Sequence, residues 1–324
     1  MQTSSPQTRQ IKRPTGPATL LWIAATMVLT PALVGADEPP ASEVAEAQAT
    51  RMEGADMLGD RETAGSPTDE FPWTGEQFYY SLRVNGVEAM RAVLQTGRLR
   101  SSDRGPYVAA GVDVRSVGFF DSLYSVEHHA DTYFNPRTLL PYRSEKRLSE
   151  KNNTRSYTVD YNHENYMAQC HYTRRDTDRD YEWRIPGTTH DMISWLYDLR
   201  SRSLTMGDSF VFYLYDGWKI SEIHIDVVGK EDLYTPAGWF KAWKFKYVRK
   251  IVHPMKPASA ANSEGDAAIE PVMHVRERSR HSGHFWLSRD ANHLPLRVTI
   301  RSGFGYGEAV LMKYRNPGPE TASR

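Results

Sequence analysis

The chain has 324 residues, 40 basic against 40 acidic side chains, 40% hydrophobic residues and one cysteine. That balance excludes the strongly basic footprint of a nucleic-acid-binding protein, and one cysteine excludes an internal disulfide. The length admits two domains, although all-β barrels of about 200–250 residues occur as one. At the N-terminus Arg9, Lys12 and Arg13 precede an apolar run, Ala18 to Leu29, and Pro31 and the small-residue sequence Val34-Gly35-Ala36 follow. A basic segment, an apolar segment and a cleavage site in that order predict a secretory signal peptide over residues 1–36. The expected location is the periplasm or beyond. The run is short of the roughly 20 residues that a membrane span needs, so the processed protein is not expected to be integral to a membrane. An uncleaved anchor is the alternative. No cysteine stands at the cleavage site after the apolar run, so a lipid-modified N-terminus is excluded.

Residues 37–70 carry ten acids and two bases with almost no aromatic or β-branched residues, while residues 71–324 hold 35 bases against 30 acids. Too little can be buried in 37–70 to offset its ordering entropy, which predicts a disordered acidic linker. A β-rich domain is expected over residues 71–316. Alternation with period two marks strands at Glu76–Val84, Met90–Arg100, Tyr107–Ser116, Leu123–Phe134, Leu139–Ser149, Arg155–Tyr161, Tyr166–Arg174 and Tyr181–Ile185. Turn signals separate them, among them Asn85-Gly86, a pair that tolerates positive φ in a tight hairpin. Strand after strand without a helix between predicts an antiparallel meander, since parallel pairing needs long crossovers. The exception runs from Thr188 to about Ser203. Met192, Trp195, Leu196 and Leu199 lie on one face of a helix there, with Thr188, Thr189 or Asp191 as cap and Arg200 and Arg202 near its C-terminal end.

Strands resume at Ser209–Tyr215 and Trp218–Val228. Ile223, Ile225 and Val227, and then Trp243, Phe245 and Tyr247, alternate with polar residues on either side of the break Thr235-Pro236-Ala237-Gly238. That pattern predicts a long hairpin. Residues 254–271, rich in Ala, Ser and Pro, are expected as a flexible loop. Val272–Arg278, Gly283–Ser288, Leu294–Arg301 and Glu308–Tyr314 complete the strands, and residues 317–324 form a tail. The fold class expected is all-β with one helix, a curved antiparallel meander forming an incomplete or closed barrel.

Several positions together resemble the bacterial exported family catalogued as domain of unknown function 3108. They are Gly75-Glu76 with Tyr80; Asp191-x-x-Ser194 through Tyr197 to Arg200; Gly207-Asp208; and Gly229-x-Glu231 with Thr235-x-x-Gly238-x-Phe240-x-Ala242. Trp286-x-Ser288-x-Asp290 with Leu294-Pro295-x-Arg297-Val298 ends the series. The resemblance covers about residues 71–315. The glycine that this family repeats after the first hairpin turn is absent between Asn85 and Met90. Membership implies an exported antiparallel β-protein and no particular reaction.

Catalytic and metal signals are sparse. His128 and His129 are adjacent, so on a strand they face opposite sides. His281-x-x-His284 lacks the further ligands of a familiar zinc spacing. Gly303-Phe304-Gly305-Tyr306-Gly307 opens no helix and so lacks a phosphate cradle, and Gly207-Asp208-Ser209 lacks a nucleophile elbow. Cys170 reads as a small buried strand residue. No metal, cofactor or catalytic residue is expected. The remaining clue is the number of large rings. Those lining a concave face under the helix would suit an apolar ligand, with Trp195, Tyr197, Trp218 and Trp243 as candidates. Arg200 is the candidate for an anionic head group; capping carbonyls or pairing with an acid is its plainer role. The leading expectation is non-enzymatic binding of an apolar or amphipathic, lipid-like molecule in the cell envelope. A scaffold or assembly protein with an envelope partner, and a hydrolase with a dispersed site, are the alternatives.

Overall fold

Alternation of buried and exposed side chains holds through most of the strands of the computed structural model, which describes residues 71–151, 153–254, 269–302 and 305–315. Residues 1–70 and 316–324 and most of the 254–271 loop lie outside these, so the expected signal peptide, linker, loop and tail are not described. Strands β1 (Gln77–Val84), β2 (Val87–Ser102), β3 (Gly105–Ser116), β4 (Val126–Phe134), β5 (Pro141–Glu150), β6 (Asn153–Asn162), β7 (Met167–Arg174) and β8 (Thr177–Arg184) form one meander. A second comprises β9 (Thr189–His190), β10 (Ser209–Tyr215), β11 (Ile220–Thr235), β12 (Gly238–Pro254), β13 (Met273–Ser288), β14 (Pro295–Ser302) and β15 (Gly305–Arg315). Pairing of β1 with β15 joins the two into a single 15-stranded sheet with β8 and β9 at its edges. The first turn forms as its residues require, with φ of 49° at Asn85 and 87° at Gly86.

Three local expectations are corrected. A short helix, α1 (Gly118–Leu123), interrupts the stretch between β3 and β4, so the described residues hold two helices rather than one and β4 begins at Val126 rather than Leu123. The main helix, α2, covers only Ser194–Ser201. Its expected first turn is diverted because Thr189 and His190 pair in parallel with Tyr213 and Leu214, the exception to the antiparallel pairing. Asp191 then accepts hydrogen bonds from the backbone N–H groups of Ile193 (2.5 Å) and Ser194 (3.0 Å), which sets where the helix starts.

The sheet curls around α2. Tyr197 stacks on Phe134 with ring centroids 5.5 Å apart and also meets Phe71 and Trp73, closing the hollow against β1–β4. On the other side Leu199 packs with Phe212, Ile225, Phe245 and Phe285. Leu196 and Val298 pack against both groups, so the two are continuous. A third group joins inner residues of β5–β7, including Leu148, Tyr157, Val159 and Cys170, to Tyr215, Ile220 and Val252 of β10–β12. The two ends of the sheet therefore face each other through side chains without joining by a ladder. An incomplete barrel results.

Candidate functional site

The five ring and cation positions singled out above are not brought to one surface. Tyr197 and Arg200 are fully enclosed, Trp243 is buried among the side chains below α2, and Trp195 is half-buried with edge contacts to Phe212 and Phe285. Trp218 is 43% exposed on the turn between β10 and β11. Arg200 takes the plainer of its two roles. It donates to both oxygens of Glu76 at 2.8 and 2.9 Å, and to the Asn292 carbonyl at 3.1 and 3.0 Å. Trp73, Tyr197 and Phe78 lie within 5.4 Å of its guanidinium carbon, measured to the ring centroids. Burial pushes the Glu76 carboxyl above its ordinary value against the opposing hydrogen bonds from Arg200.

Other scattered motif positions also meet in pairs. The Tyr80 hydroxyl donates to the Pro295 carbonyl at 2.8 Å, Trp286 Nε1 donates to Glu231, and Ser288 Oγ accepts the Leu294 N–H at 2.7 Å. These residues are joints of the curled sheet. The first two hold strands far apart in sequence against each other, the third closes the turn between β13 and β14, and none exposes a reacting group.

A different region gathers charge. The turn Asp216-Gly217 enters the hollow between the sheet ends, where a Cβ on Gly217 would lie 3.1–3.2 Å from Tyr157 and Val159. Its φ of 85° also needs glycine. Cys170 Sγ donates to the Gly217 carbonyl at 3.2 Å, Tyr161 to the Tyr215 carbonyl at 2.9 Å, and Lys146 Nζ to the Asp216 carbonyl at 2.6 Å. Lys146 also sits over the Tyr157 ring at 4.4 Å. Burial depresses its pKa; Asp216 opposes that, and the positive charges of Arg155 on β6 and Arg249 on β12 add to it. Cations from facing walls thus act on one another. Arg155 reaches Glu150 at 3.3 Å, and Arg249 Nε donates to Ser221 Oγ at 2.8 Å. Burial disfavours ionised Glu150, yet hydrogen bonds from His128 and Tyr124 and the charge of Arg155 hold its carboxyl below the usual range. Beside this cluster the inner face of β7–β8 carries Tyr172, Tyr181 and Trp183, in register with buried Tyr157, Cys170 and Ala168 but only half-buried themselves. The sequence held a signal for it. Ser144, Lys146, Leu148 and Glu150 alternate on one face of β5, and charges in an inward phase mark a buried polar site.

Signals for chemistry resolve into structure. His128 and His129 do point opposite ways, the first inward to Glu150 at 3.2 Å and the second outward between Asp113 (2.8 Å) and Asp131 (2.7 Å). Those carboxylates raise the His129 pKa to about 10. A raised value stabilises the fold while the ring is charged. The contribution is therefore complete below the ordinary His pKa of about 6.5 and drains away as pH rises toward 10. With the side chain 40% exposed, solvent screening limits it, so His129→Asn is expected to cost about 1 kcal/mol near pH 6 and nothing near pH 10, read from urea midpoints across that range. Ser194, His190 and Asp198 form a chain, His190 Nδ1 lying 3.1 Å from Ser194 Oγ and Nε2 lying 3.0 Å from Asp198. Ser194 is fully buried, however, and its oxygen also accepts the Asp191 N–H at 3.2 Å. The hydroxyl is closed to substrate and serves the start of α2. Burial pushes the Cys170 thiol up to about 11, the opposite of a reactive cysteine. Among the described residues no three His, Cys, Asp or Glu side chains converge on a metal position, and no helix is long and apolar enough to cross a membrane.

Three solved structures are similar to this chain over about three quarters of its length. A β-barrel-like protein of domain of unknown function DUF1849 from Brucella abortus is 8% identical with a TM-score of 0.49, over 76% of this chain and 98% of that one. A protein with a YmcC-like fold from Bacteroides fragilis, inferred to be exported, is 14% identical with a TM-score of 0.30, over 75% and 96%. One from Parabacteroides distasonis, inferred to be a lipoprotein, is 12% identical with a TM-score of 0.29, over 76% and 98%. No curated protein matches the sequence. The family described as protein of unknown function (DUF3108) matches residues 79–312, a span that takes in nearly all of the strands and all of α2, and the chain belongs to that family.

Proposed function

We propose that this is an exported cell-envelope protein that binds, without catalysis, one amphipathic, lipid-like molecule along the seam between the two ends of its sheet. The supporting observation is the gathering of half-buried Tyr172, Tyr181 and Trp183 beside the buried cations Lys146 and Arg249 and the partly buried Arg155. Elsewhere the concave face is spent on α2 and its aromatic neighbours, whereas here rings keep accessible surface beside positive charge. An apolar tail lies along the rings in this reading, and an anionic head replaces the Asp216 carbonyl as the partner of Lys146. Release of the head group needs no bond breaking. Export rests on the basic, apolar and small-residue order at the N-terminus.

Mass spectrometry of an organic extract of the protein recovered from cells is expected to find a stoichiometric amphiphile, and oleate is expected to bind the emptied protein. Lys146→Met keeps the length of the side chain and removes its charge. It is expected to weaken oleate binding about tenfold, the loss of one charge-assisted hydrogen bond, with the unfolding midpoint measured alongside. Absence of both an extracted amphiphile and a saturable oleate titration would overturn the reading.

A further inference from the structure

The hairpin joining β11 and β12 ends in two rings that stand mostly in solvent. Tyr234 is 60% and Trp239 73% exposed, in a cross-strand pair with centroids 5.3 Å apart. Large rings are normally buried, and an exposed pair at a projecting tip leaves apolar area in contact with water. The tip is firmly built beneath them. Thr235 is fully buried, its hydroxyl oxygen accepts the Ala237 N–H at 3.2 Å, and Leu233 and Ala242 are buried in the main core. The rings are therefore presented by a stiff support, as a surface-reading element must be.

We propose that this hairpin tip docks the protein on a lipid bilayer carrying anionic head groups, with Tyr234 and Trp239 at the level of the head groups. Three observations favour that occupant. Tyr and Trp combine an apolar body with a polar edge and concentrate at membrane–water interfaces. Cations lie below the rings on the same face of the hairpin: Lys230 and Lys241 by alternation, with Lys230 and Arg289 over the neighbouring Trp243 at 4.6 and 5.1 Å, and Asp232 and Asp290 as the nearby acids. Finally, the chain enters the described fold beside the same hairpin. Ala237 and Phe240 pack against the group that holds Phe71 and Trp73, and the Phe240 ring lies 6.3 Å from Tyr314, the strand partner of Phe78. Whatever part of the N-terminus is retained, the uncleaved anchor at Ala18 to Leu29 included, thus joins the domain at the end where the rings project. A second copy of the chain is a poorer occupant. Two rings bury at most about 500 Å², well under the roughly 800 Å² per partner of a stable interface.

The test is co-sedimentation of the full chain, as processed by its host, with vesicles of phosphatidylcholine alone or mixed with phosphatidylglycerol. The unaltered protein is expected to sediment with the mixed vesicles. Tyr234→Ser with Trp239→Ser is expected to lose about tenfold or more in partitioning, and Lys230→Ala with Lys241→Ala about fivefold per lysine on mixed vesicles only. Every variant carries the same N-terminus, so the differences belong to the hairpin, and unchanged unfolding midpoints show that the fold is intact. Equal partitioning of the ring variant and the unaltered protein overturns the proposal, as does failure of the unaltered protein to bind either vesicle. Loss of self-association in the ring variant, without any effect on vesicle binding, assigns the tip to a second copy and overturns it as well.

Discussion

Glu76→Ala is expected to destabilise the protein by about 3–5 kcal/mol, because it leaves the Arg200 guanidinium enclosed without its counter-ion. Both side chains have no accessible surface. In the native fold the charge is matched by two short hydrogen bonds to Glu76, two to the Asn292 carbonyl, and three ring faces. Alanine removes the acid and leaves a cavity beside the guanidinium. The carbonyl and the rings cannot supply the missing negative charge. The control is the double replacement Glu76→Leu with Arg200→Met, which exchanges the pair for apolar groups of similar length. It is expected to recover most of the loss, since a matched buried pair contributes little beyond its hydrophobic equivalent. Urea unfolding at neutral pH checks both, and a double variant as unstable as Glu76→Ala would show that the pair's geometry, rather than the stranded charge, carries the effect.

Gly283→Ala is the second large effect. Gly283 lies in β13 between Tyr247 of β12 and Ile300 of β14, where the sheet bends around α2. A Cβ there would overlap the Thr299 backbone carbonyl and stand 2.8 and 2.9 Å from the Tyr247 hydroxyl oxygen and ring. Tyr247 can swing away at the cost of its packing on Phe285, but the carbonyl belongs to the neighbouring strand and cannot move without shifting the ladder. About 3 kcal/mol or more is expected, at the upper end of overpacking costs. Loss should appear as a lowered thermal midpoint, and a midpoint within a degree or two of the unaltered protein would show that β13 and β14 have slack. Gly86 is the contrasting control. Nothing lies within 4 Å of a Cβ placed there, so substitution meets only the strain of its φ of 87°.

How legible the site was follows from how far apart its parts lie in the chain. Alternation marked a strand at Leu139–Ser149 without singling out Lys146 or Glu150, and Asp216, in a turn, and Arg249, in a strand, come 70 or more residues after Lys146. Their arrival beside Lys146 depends on how far the sheet curls. Arg200 was recognised as a charged residue at a helix end, for which pairing with an acid was the plainer role. That its partner is Glu76, 124 residues earlier, became visible only when the sheet wrapped around α2. Trp195, Tyr197 and Trp243 attracted notice as large rings near the helix, and ring size does not say whether a face is open or packed. The truncation of α2 has the same origin. Its first turn obeyed helical spacing locally but was taken by parallel pairing with β10, a contact that local periodicity does not contain.

Strand content, hairpin order and antiparallel pairing came from the sequence by itself, because period-two alternation and turn residues such as Asn85-Gly86 act over a few neighbouring positions. The family resemblance, carried by motifs spread along the chain, was legible on the same footing. Tertiary structure alone decided which rings are walls and which are packing, how Arg200 is neutralised, and that charges from β5, β6 and β12 meet in one seam. Those outcomes depend on the curvature of a 15-stranded sheet, the sum of small twists and bulges at every strand pair, and no short stretch of residues encodes that sum.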